Sequence, residues 1–271
     1  MDRSVRDADV VIVGSGIGGL TAGAYLAAIG KKVIVVERHS VAGGNATVFE
    51  HKGYEFDVGV HYVGDCQPGG MFDRLLKPLG IEIEWLELDP DGFDTLVYPD
   101  MTFRFPKGVE RLRERLLEHF PTEAEGIDGF LDVTQKLNRG LVGGGDFDTL
   151  MQYQDQTLGD LFDDLKLSPR LRGVLCAQNG TYTLPPGRVS VILHSVLMMH
   201  YVNAGAYYPA GGGQVIADGL KEAIERNGGE VFLQTPVKRI IVDGGRCAAS
   251  SSSLRRRCAS EASPTRSTRR S

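Results

Sequence analysis

The sequence lacks a run of apolar residues long enough to cross a lipid bilayer. The longest such run, residues 189–202, covers 14 positions and includes two histidines, whereas a membrane-spanning helix needs about 20 apolar residues. The first ten residues also lack the hydrophobic segment of a secretory signal peptide. We therefore expect a cytoplasmic protein, and peripheral contact with a membrane stays an open alternative.

Cysteine patterns typical of metal sites or disulfide frameworks are missing as well. The four cysteines, Cys66, Cys176, Cys247 and Cys258, lie far apart and show neither CxxC nor Cys/His spacing. The sequence therefore predicts free thiols and no metal site. A reducing compartment is the simplest location for such a chain.

Charge is distributed unevenly along the chain. The net charge is −5, but residues 248–271 contribute +5, so residues 1–247 carry −10. This acidic body argues against a nucleic-acid partner. Residues 248–271 contain eight Ser and six Arg but no Val, Ile or aromatic residue. A segment of this composition cannot bury apolar area, and we predict that it is disordered.

The pattern of the folded part stops inside a predicted hairpin. Asp243-Gly244-Gly245 reads as a turn, yet no apolar strand pattern follows it. One hypothesis is that the natural reading frame was lost near Cys247, so that the chain is truncated at its C terminus.

Glycine is abundant, and it is concentrated in the most informative stretch of the chain. There, a β-branched run predicts a strand buried on both faces; a GxGxxG sequence, a helical pattern and a second β-branched run follow. These four features occupy residues 10–13, 14–19, 17–29 and 32–36. The second strand ends in Glu37, which is 23 positions after Gly14.

This spacing has a chemical explanation. The first glycine permits a tight strand-to-helix turn, the second lets the backbone approach a diphosphate, and the third lets helix and strand pack closely. Amides at the helix N terminus supply hydrogen-bond donors, and the acid at the end of the second strand accepts from ribose hydroxyls. The sequence therefore predicts a dinucleotide site with contacts at Gly14, Gly16, Gly18, Gly19 and Glu37.

The residues after Glu37 indicate which dinucleotide is bound. A short loop leads to Gly43-Gly44, and this arrangement resembles the FAD-binding pattern of the amine oxidase and phytoene desaturase superfamily. Asn45 stands where that family usually has Arg. The resemblance implies FAD contacts at Arg38, Gly43, Gly44 and Asn45. An NADP site would use Arg38 for a 2′-phosphate, but Glu37 would repel that group, so FAD is favoured.

Two later segments carry the same resemblance. Asp57, Gly59, His61 and Tyr62 match the Asp-x-Gly-x-His-Tyr sequence of the branch that contains carotenoid isomerases and retinol saturases. His61 is therefore a candidate for contact with flavin or substrate, and a histidine hydrogen-bonded in a packed loop is an equally good interpretation. Residues 205–247 match the family's second cofactor segment, which implies a contact between the backbone at Val237 and the adenine.

The resemblance implies the domain organisation. The predicted fold class is α/β, with a discontinuous Rossmann-like FAD-binding domain at residues 1–65 and 205–247. An inserted α+β substrate domain would occupy residues 66–204. Within it, residues 189–202 are apolar around most of a helix, which favours a core helix over a pocket wall lined by Met198 and Met199.

The resemblance also implies the activity, an FAD-dependent oxidoreductase of the phytoene desaturase, carotenoid isomerase and retinol saturase type. Hydride would pass between the flavin and a C–C or C=C bond of a hydrophobic polyene or isoprenoid substrate, and the cofactor would carry the redox chemistry. Two alternatives stay open: an amine-oxidase-like flavoenzyme, and a truncated, non-catalytic fragment.

Overall fold

The computed structural model describes residues 8–142, 147–243 and 246–250. The helices are α1 Ile17–Ala28, α2 Met71–Leu76, α3 Val109–His119, α4 Ala124–Val142, α5 Phe147–Tyr153, α6 Leu158–Asp164, α7 Pro169–Leu175, α8 Val191–Ala204 and α9 Gln214–Arg226. The strands are β1 Val10–Val13, β2 Val33–Val36, β3 Val48–His51, β4 Tyr54–Asp57, β5 Val63–Gly64, β6 Trp85–Glu87, β7 Asp94–Tyr98, β8 Met101–Phe105, β9 Ala206–Pro209, β10 Glu230–Phe232, β11 Arg239–Asp243 and β12 Arg246–Ser250.

The chain divides into two compact units. The first unit contains the chain up to His61, the segment Asp73–Glu84 and the chain from Pro209 onward; the second unit contains Tyr62–Phe72 and Trp85–Tyr208. The sequence-based boundaries place Asp73–Glu84 in the inserted domain, whereas this segment packs with the first unit. The reason is local, because Ile81 lies against Gly219 of α9 and Arg226 donates to the carbonyl of Leu79. The roles assigned to the two units stay predictions.

The first unit is built on a parallel sheet of order β1-β2-β10. Val10 pairs with Val33, and Glu230 pairs with Ile34 on the other side of β2. All four residues of β2 are buried, as expected for a β-branched strand inside a parallel sheet. β1 differs from the prediction, because its residues are only partly buried and Val13 is 50% exposed. Val13 lies at the carboxyl end of the strand, where it lines a cavity.

Helices α1 and α9 pack closely in this unit, and a glycine permits the approach. A Cβ atom at Gly23 would lie 3.0 Å from Ile224 of α9 and 3.3 Å from Ile12 of β1. Leu20, Ala24 and Ala27 complete the buried face of α1. Small residues along this face therefore bring both helices against the sheet.

The second unit combines antiparallel strand pairs with helices around one apolar core. β7 pairs with β8, and β5, β9 and β6 form a three-stranded sheet. Helix α8 packs against α4, and Met198 and Met199 are buried in the core at 1% and 0% exposure. The core interpretation of this helix is therefore confirmed. The largest fully buried side chains of this core include Phe103, Phe105, Phe130, Phe162, Leu112 and Leu116.

The prediction of a disordered tail is wrong for residues 248–250, which belong to β12. β12 pairs antiparallel with β11, with Arg239 opposite Ser250, so a partner strand for β11 is present. Backbone hydrogen bonding between strands does not require apolar side chains, so composition alone missed this strand. The remainder of the predicted tail, residues 251–271, lies outside the described residues.

No helix in the described part of the chain combines the length and apolar character needed to cross a membrane.

Candidate cofactor site

The GxGxxG turn forms as its glycine spacing predicts. Gly14 has a φ of +98°, a value that L side chains rarely adopt, and its amide donates to the carbonyl of Val36 at 2.8 Å. A Cβ atom at Gly19 would lie 2.4 Å from the carbonyl oxygen of Gly14. The turn and the first helical residues therefore fit together only because position 19 has no side chain.

The N terminus of α1 is open. Gly16 occupies the N-cap position, no side chain caps this end, and no acidic residue lies in the first turn. The first amides of a helix have no partner within the helix and carry partial positive charge. This end of the 12-residue helix α1 is therefore suited to an anionic group such as a diphosphate.

The loop that contains Gly43 and Gly44 lies directly against this turn. The amide of Gly43 donates to the carbonyl of Ser15 at 2.8 Å, and Gly16 and Gly43 form an isolated parallel bridge. Gly44 has a φ of +63°, and a Cβ atom there would lie 3.1 Å from the Cα atom of Gly16. The two glycine segments thus form a cradle of bare backbone that side chains would fill.

Glu37 joins the turn to the end of β2. Its Oε2 accepts from the Ser15 amide at 2.8 Å and from the Ser15 hydroxyl at 2.9 Å, and its Oε1 accepts from the His39 amide at 2.9 Å. Burial alone would raise the pKa of Glu37, but these hydrogen bonds together hold its pKa below the usual value. The carboxylate is therefore ionised at neutral pH and retains lone pairs for a further donor.

β10 brings a third segment to the same place. The Thr235 amide donates to the carbonyl of Glu37 at 2.6 Å, and the Gln234 amide donates to the carbonyl of His39 at 2.8 Å. Residues 234–235 and residues 37–39 are far apart in sequence. They meet because the first pair follows β10 and the second segment follows β2, and these parallel strands end at the same edge of the sheet.

These segments surround a cavity of about 640 Å³ within the first unit. Such a volume lies in the range of small-molecule and cofactor sites. The lining residues are Val13, Gly14, Val36, Glu37, Arg38, His39, Ser40, Val41, Gly44, Asn45, Thr47, Val48, Val58, Thr235, Pro236 and Val237.

Six of the ten predicted cofactor residues line this cavity: Gly14, Glu37, Arg38, Gly44, Asn45 and Val237. Gly16, Gly19 and Gly43 lie behind the lining and shape the cradle. Gly18 is exposed on α1, and a Cβ atom there would meet nothing within 4 Å. His61 is exposed and is not a lining residue of this cavity. The roles of all these residues stay predictions.

Sequence reasoning missed Ser15 and Thr235. Ser15 is fully buried and binds Glu37 through both its amide and its hydroxyl. It occupies a variable position of GxGxxG, so the motif gave no signal for it. Thr235 precedes Pro236 and Val237 at the cavity wall, and only the parallel pairing of β2 with β10 brings it there.

The chain is similar in sequence to several known proteins. Residues 12–79 match the family of NAD(P)-binding Rossmann-like domains. The chain is 33% identical over 278 residues to an all-trans-retinol 13,14-reductase from Danio rerio, covering 93% of this chain and 46% of that protein. It is 27% identical over 263 residues to the chloroplastic prolycopene isomerase of Arabidopsis thaliana, covering 88% and 44%. The chain thus spans less than half the length of either relative.

A solved structure of putrescine oxidase has the same fold. It superposes with a TM-score of 0.64 at 17% identity, and the match covers 90% of this chain and 55% of that one. The mixed α/β fold with a Rossmann-like domain is therefore confirmed, and the match to a family of NAD(P)-binding domains indicates a nucleotide cofactor. The chain is similar in sequence to all-trans-retinol 13,14-reductases and prolycopene isomerases, as the resemblance in its sequence predicts.

Proposed function

We propose that the first unit binds FAD and that the protein acts in hydride transfer between this flavin and a C–C or C=C bond of a polyene substrate. The observation that carries the proposal is that Gly14, in the turn that leads to the open N terminus of α1, and Glu37 line one cavity. The names of the relatives, retinol 13,14-reductase and prolycopene isomerase, support the substrate class.

The residues of the cradle fit the adenosine diphosphate part of FAD. The amides at the start of α1 bind the diphosphate, and the absence of side chains at Gly16 and Gly44 lets the backbone approach it. Glu37 accepts hydrogen bonds from the ribose hydroxyls while Ser15 and His39 hold its carboxylate in place. The backbone at Val237 contacts the adenine.

When bound, FAD supplies the hydride chemistry, and the protein supplies binding and orientation. The charge at Glu37 also sets cofactor choice. A buried, ionised carboxylate repels the 2′-phosphate of NADP, whereas it pairs with the free hydroxyls of FAD or NAD. Arg38 donates to His39 Nε2 at 3.2 Å from an exposed position, so it adds positive charge at the cavity wall.

A binding experiment tests the cofactor. The purified chain is titrated with FAD, NAD and NADP, and FAD should bind most tightly. Glu37→Gln should weaken FAD binding by roughly tenfold to a hundredfold, because it replaces a charged acceptor of several hydrogen bonds. Glu50→Gln is the matched control, because Glu50 is exposed on the β3–β4 hairpin. Preference for NADP, or equal FAD binding by both variants, would contradict the proposal.

A redox experiment tests the substrate. The FAD-loaded protein is reduced under anaerobic conditions and mixed with all-trans-retinol, with a carotenoid or with putrescine. Recovery of the oxidised flavin band together with loss of the polyene absorbance supports polyene reduction. Reduction of the oxidised holoprotein by putrescine instead would favour an amine-oxidase-like enzyme, for which the putrescine oxidase neighbour shows a shared fold alone. Failure to bind any flavin would favour the non-catalytic fragment.

A further inference from the structure

Helix α9 supports the loop that contains Gly43 and Gly44. Gln214 is the first residue of this helix, and its side-chain Nε2 donates to the carbonyl of Ala42 at 3.0 Å. A Cβ atom at Gly43 would lie 2.9 Å from the Cβ atom of Ala217, so the backbone of the loop rests directly on the helix. The hydrogen bond joins residues 172 positions apart. A residue from the returning segment of the first unit therefore contacts a loop near the start of that unit.

One peptide group of this loop is held at both ends. The carbonyl of Ala42 accepts from Gln214. The amide of the same peptide group belongs to Gly43 and donates to the carbonyl of Ser15 at 2.8 Å. Gly43 has a φ of +127°, and glycine adopts positive and negative φ with similar ease. The loop sequence alone therefore does not fix the orientation of this peptide group, whereas the two hydrogen bonds do.

The side-chain amide of Gln214 can serve the loop in one orientation only. Its Nε2 also donates to Oδ1 of Asp218 at 2.9 Å, one helical turn further along α9. A flipped amide would place Oε1 against these two acceptor oxygens, which have no proton to give it. In the observed orientation Oε1 is buried and has no partner among the described residues. An unpaired buried acceptor costs stability, so this side chain is oriented by its contact with the loop at the expense of that acceptor.

The peptide group that Gln214 holds belongs to the cradle. Its Gly43 end forms the parallel bridge with Gly16, and the next residue, Gly44, lines the cavity. Rotation of the peptide group would break the hydrogen bond to Ser15 that keeps the loop against the turn. A site held in one geometry binds more tightly, because less conformational entropy is lost on binding. The orientation of this peptide group therefore bears on the affinity of the cradle.

We propose that Gln214 is a positioning residue for the diphosphate of the cofactor. It acts through the peptide group between Ala42 and Gly43 and is not itself a lining residue of the cavity. The inference rests on the proposed function and deepens it, because it names a residue that keeps the cradle in the geometry that binds the diphosphate.

Ligand titrations of the full chain test this inference. Gln214→Met keeps the length of the side chain but removes its donor. Its affinity for FAD and for ADP should fall about fivefold, because one neutral hydrogen bond no longer fixes the cradle. Its affinity for adenosine, which lacks the diphosphate, should be unchanged. Gln152→Met is the matched control, because Gln152 is exposed on α5, and it should keep the affinities of the unmodified chain.

Amide hydrogen exchange reports on the loop without any ligand. In unliganded Gln214→Met, the Gly43 amide should exchange about fivefold faster, because its peptide group is held at one end only. The Gly14 amide, which donates to the carbonyl of Val36, should exchange at an unchanged rate. Gln214→Asn is a second variant, because it keeps a donor but is one methylene too short to reach Ala42. It should show the same losses, with a denaturation midpoint close to that of the unmodified chain.

Several results would overturn the inference. Unchanged Gly43 exchange or unchanged ADP affinity in Gln214→Met would show that this side chain does not hold the cradle. Equal weakening of adenosine and ADP, or a Gln214→Asn protein that behaves like the unmodified chain, would show that the diphosphate does not depend on the Gln214 donor. These results leave FAD binding by the unmodified chain intact, whereas failure of that chain to bind both FAD and ADP removes the proposed function together with this inference.

Discussion

In the first unit the candidate site is made mostly of backbone, whereas the core of the second unit is made of large side chains from distant parts of the chain. Gly14, Gly16 and Gly44 form the cradle within one βαβ segment and its following loop. Tyr62 packs edge-on against Tyr201, which is more than 100 positions away in sequence. Glycine spacing therefore predicts the first arrangement, whereas only tertiary packing brings the second together.

The two units should also differ in what stabilises them. The second unit depends on large side chains buried in one core, whereas the turn of the first unit depends on positions where no side chain fits. Substitutions that remove volume from the second unit, or add volume to the first, test this difference directly.

The largest expected effect is the loss of a core ring from the second unit. Phe103 is fully buried on β8 and packs edge-on against Phe105 at 5.6 Å. Phe103→Ala should lower the free energy of unfolding by about 3–5 kcal/mol, because it leaves a cavity in a packed core. Urea unfolding followed by the fluorescence of Trp85 measures this change.

The control for this substitution lies on the neighbouring strand. Val97 is 78% exposed on β7, so Val97→Ala should change the free energy of unfolding by less than about 0.5 kcal/mol. Similar values for the two variants would show that side-chain burial does not distinguish these positions, and the comparison between the units would fail.

The next effect concerns a buried histidine of the second unit. His194 is fully buried; its Nδ1 lies 2.7 Å from the Tyr182 hydroxyl, and its Nε2 has no partner among the described residues. Burial lowers the pKa of His194 from 6.5 to about 4. Between these values the unfolded chain takes up a proton that the folded protein does not. Stability is therefore present above pH 6.5 and is lost as the pH falls toward 4, by roughly 3 kcal/mol.

His194→Phe isolates this contribution. The variant loses the Tyr182 hydrogen bond at every pH, but its unfolding free energy should fall less steeply between neutral pH and pH 4.5 than that of the unmodified protein. Burial also lowers the pKa of His200, which adds a slope of the same sign to both proteins. Urea unfolding at the two pH values measures the difference. Equal slopes would show that folding does not lower the pKa of His194.

The same contrast explains how much could be predicted from sequence. β-branched runs, glycine spacing and the acid at Glu37 predicted the βαβ segment, since each feature acts within 40 residues of chain. The hydrogen bonds that Ser15 donates to the Glu37 carboxylate were not predicted, because Ser15 lies at a position where the motif allows any residue.

In the second unit the sequence predicted helices and a buried α8, but not the polar contact of its histidine. Nothing in the periodicity of α8 places the Tyr182 hydroxyl 2.7 Å from His194 Nδ1. The strand β12 was not predicted either, because its residues are polar or small and the sequence shows no apolar strand pattern there. Its pairing with β11 is a backbone ladder.

The smallest expected effect sharpens the comparison within the first unit, with two adjacent glycines that differ in their surroundings. A Cβ atom at Gly19 would lie 2.4 Å from the Gly14 carbonyl oxygen, whereas one at Gly18 would meet nothing within 4 Å. Gly19→Ala should lower the free energy of unfolding by about 1–3 kcal/mol, because backbone must move. Gly18→Ala should raise it by up to about 1 kcal/mol, because alanine favours the helix.

Far-UV circular dichroism during urea unfolding measures both variants, and the fluorescence of Trp85 checks that the second unit is unchanged. Opposite signs at neighbouring positions cannot arise from helix propensity, since both residues lie in the first turn of α1 and undergo the same substitution. They can arise only if the Gly14 turn is held where a side chain at position 19 cannot fit. Equal effects would instead mean that the turn yields to a side chain, and a cradle that yields could not hold a diphosphate in one position.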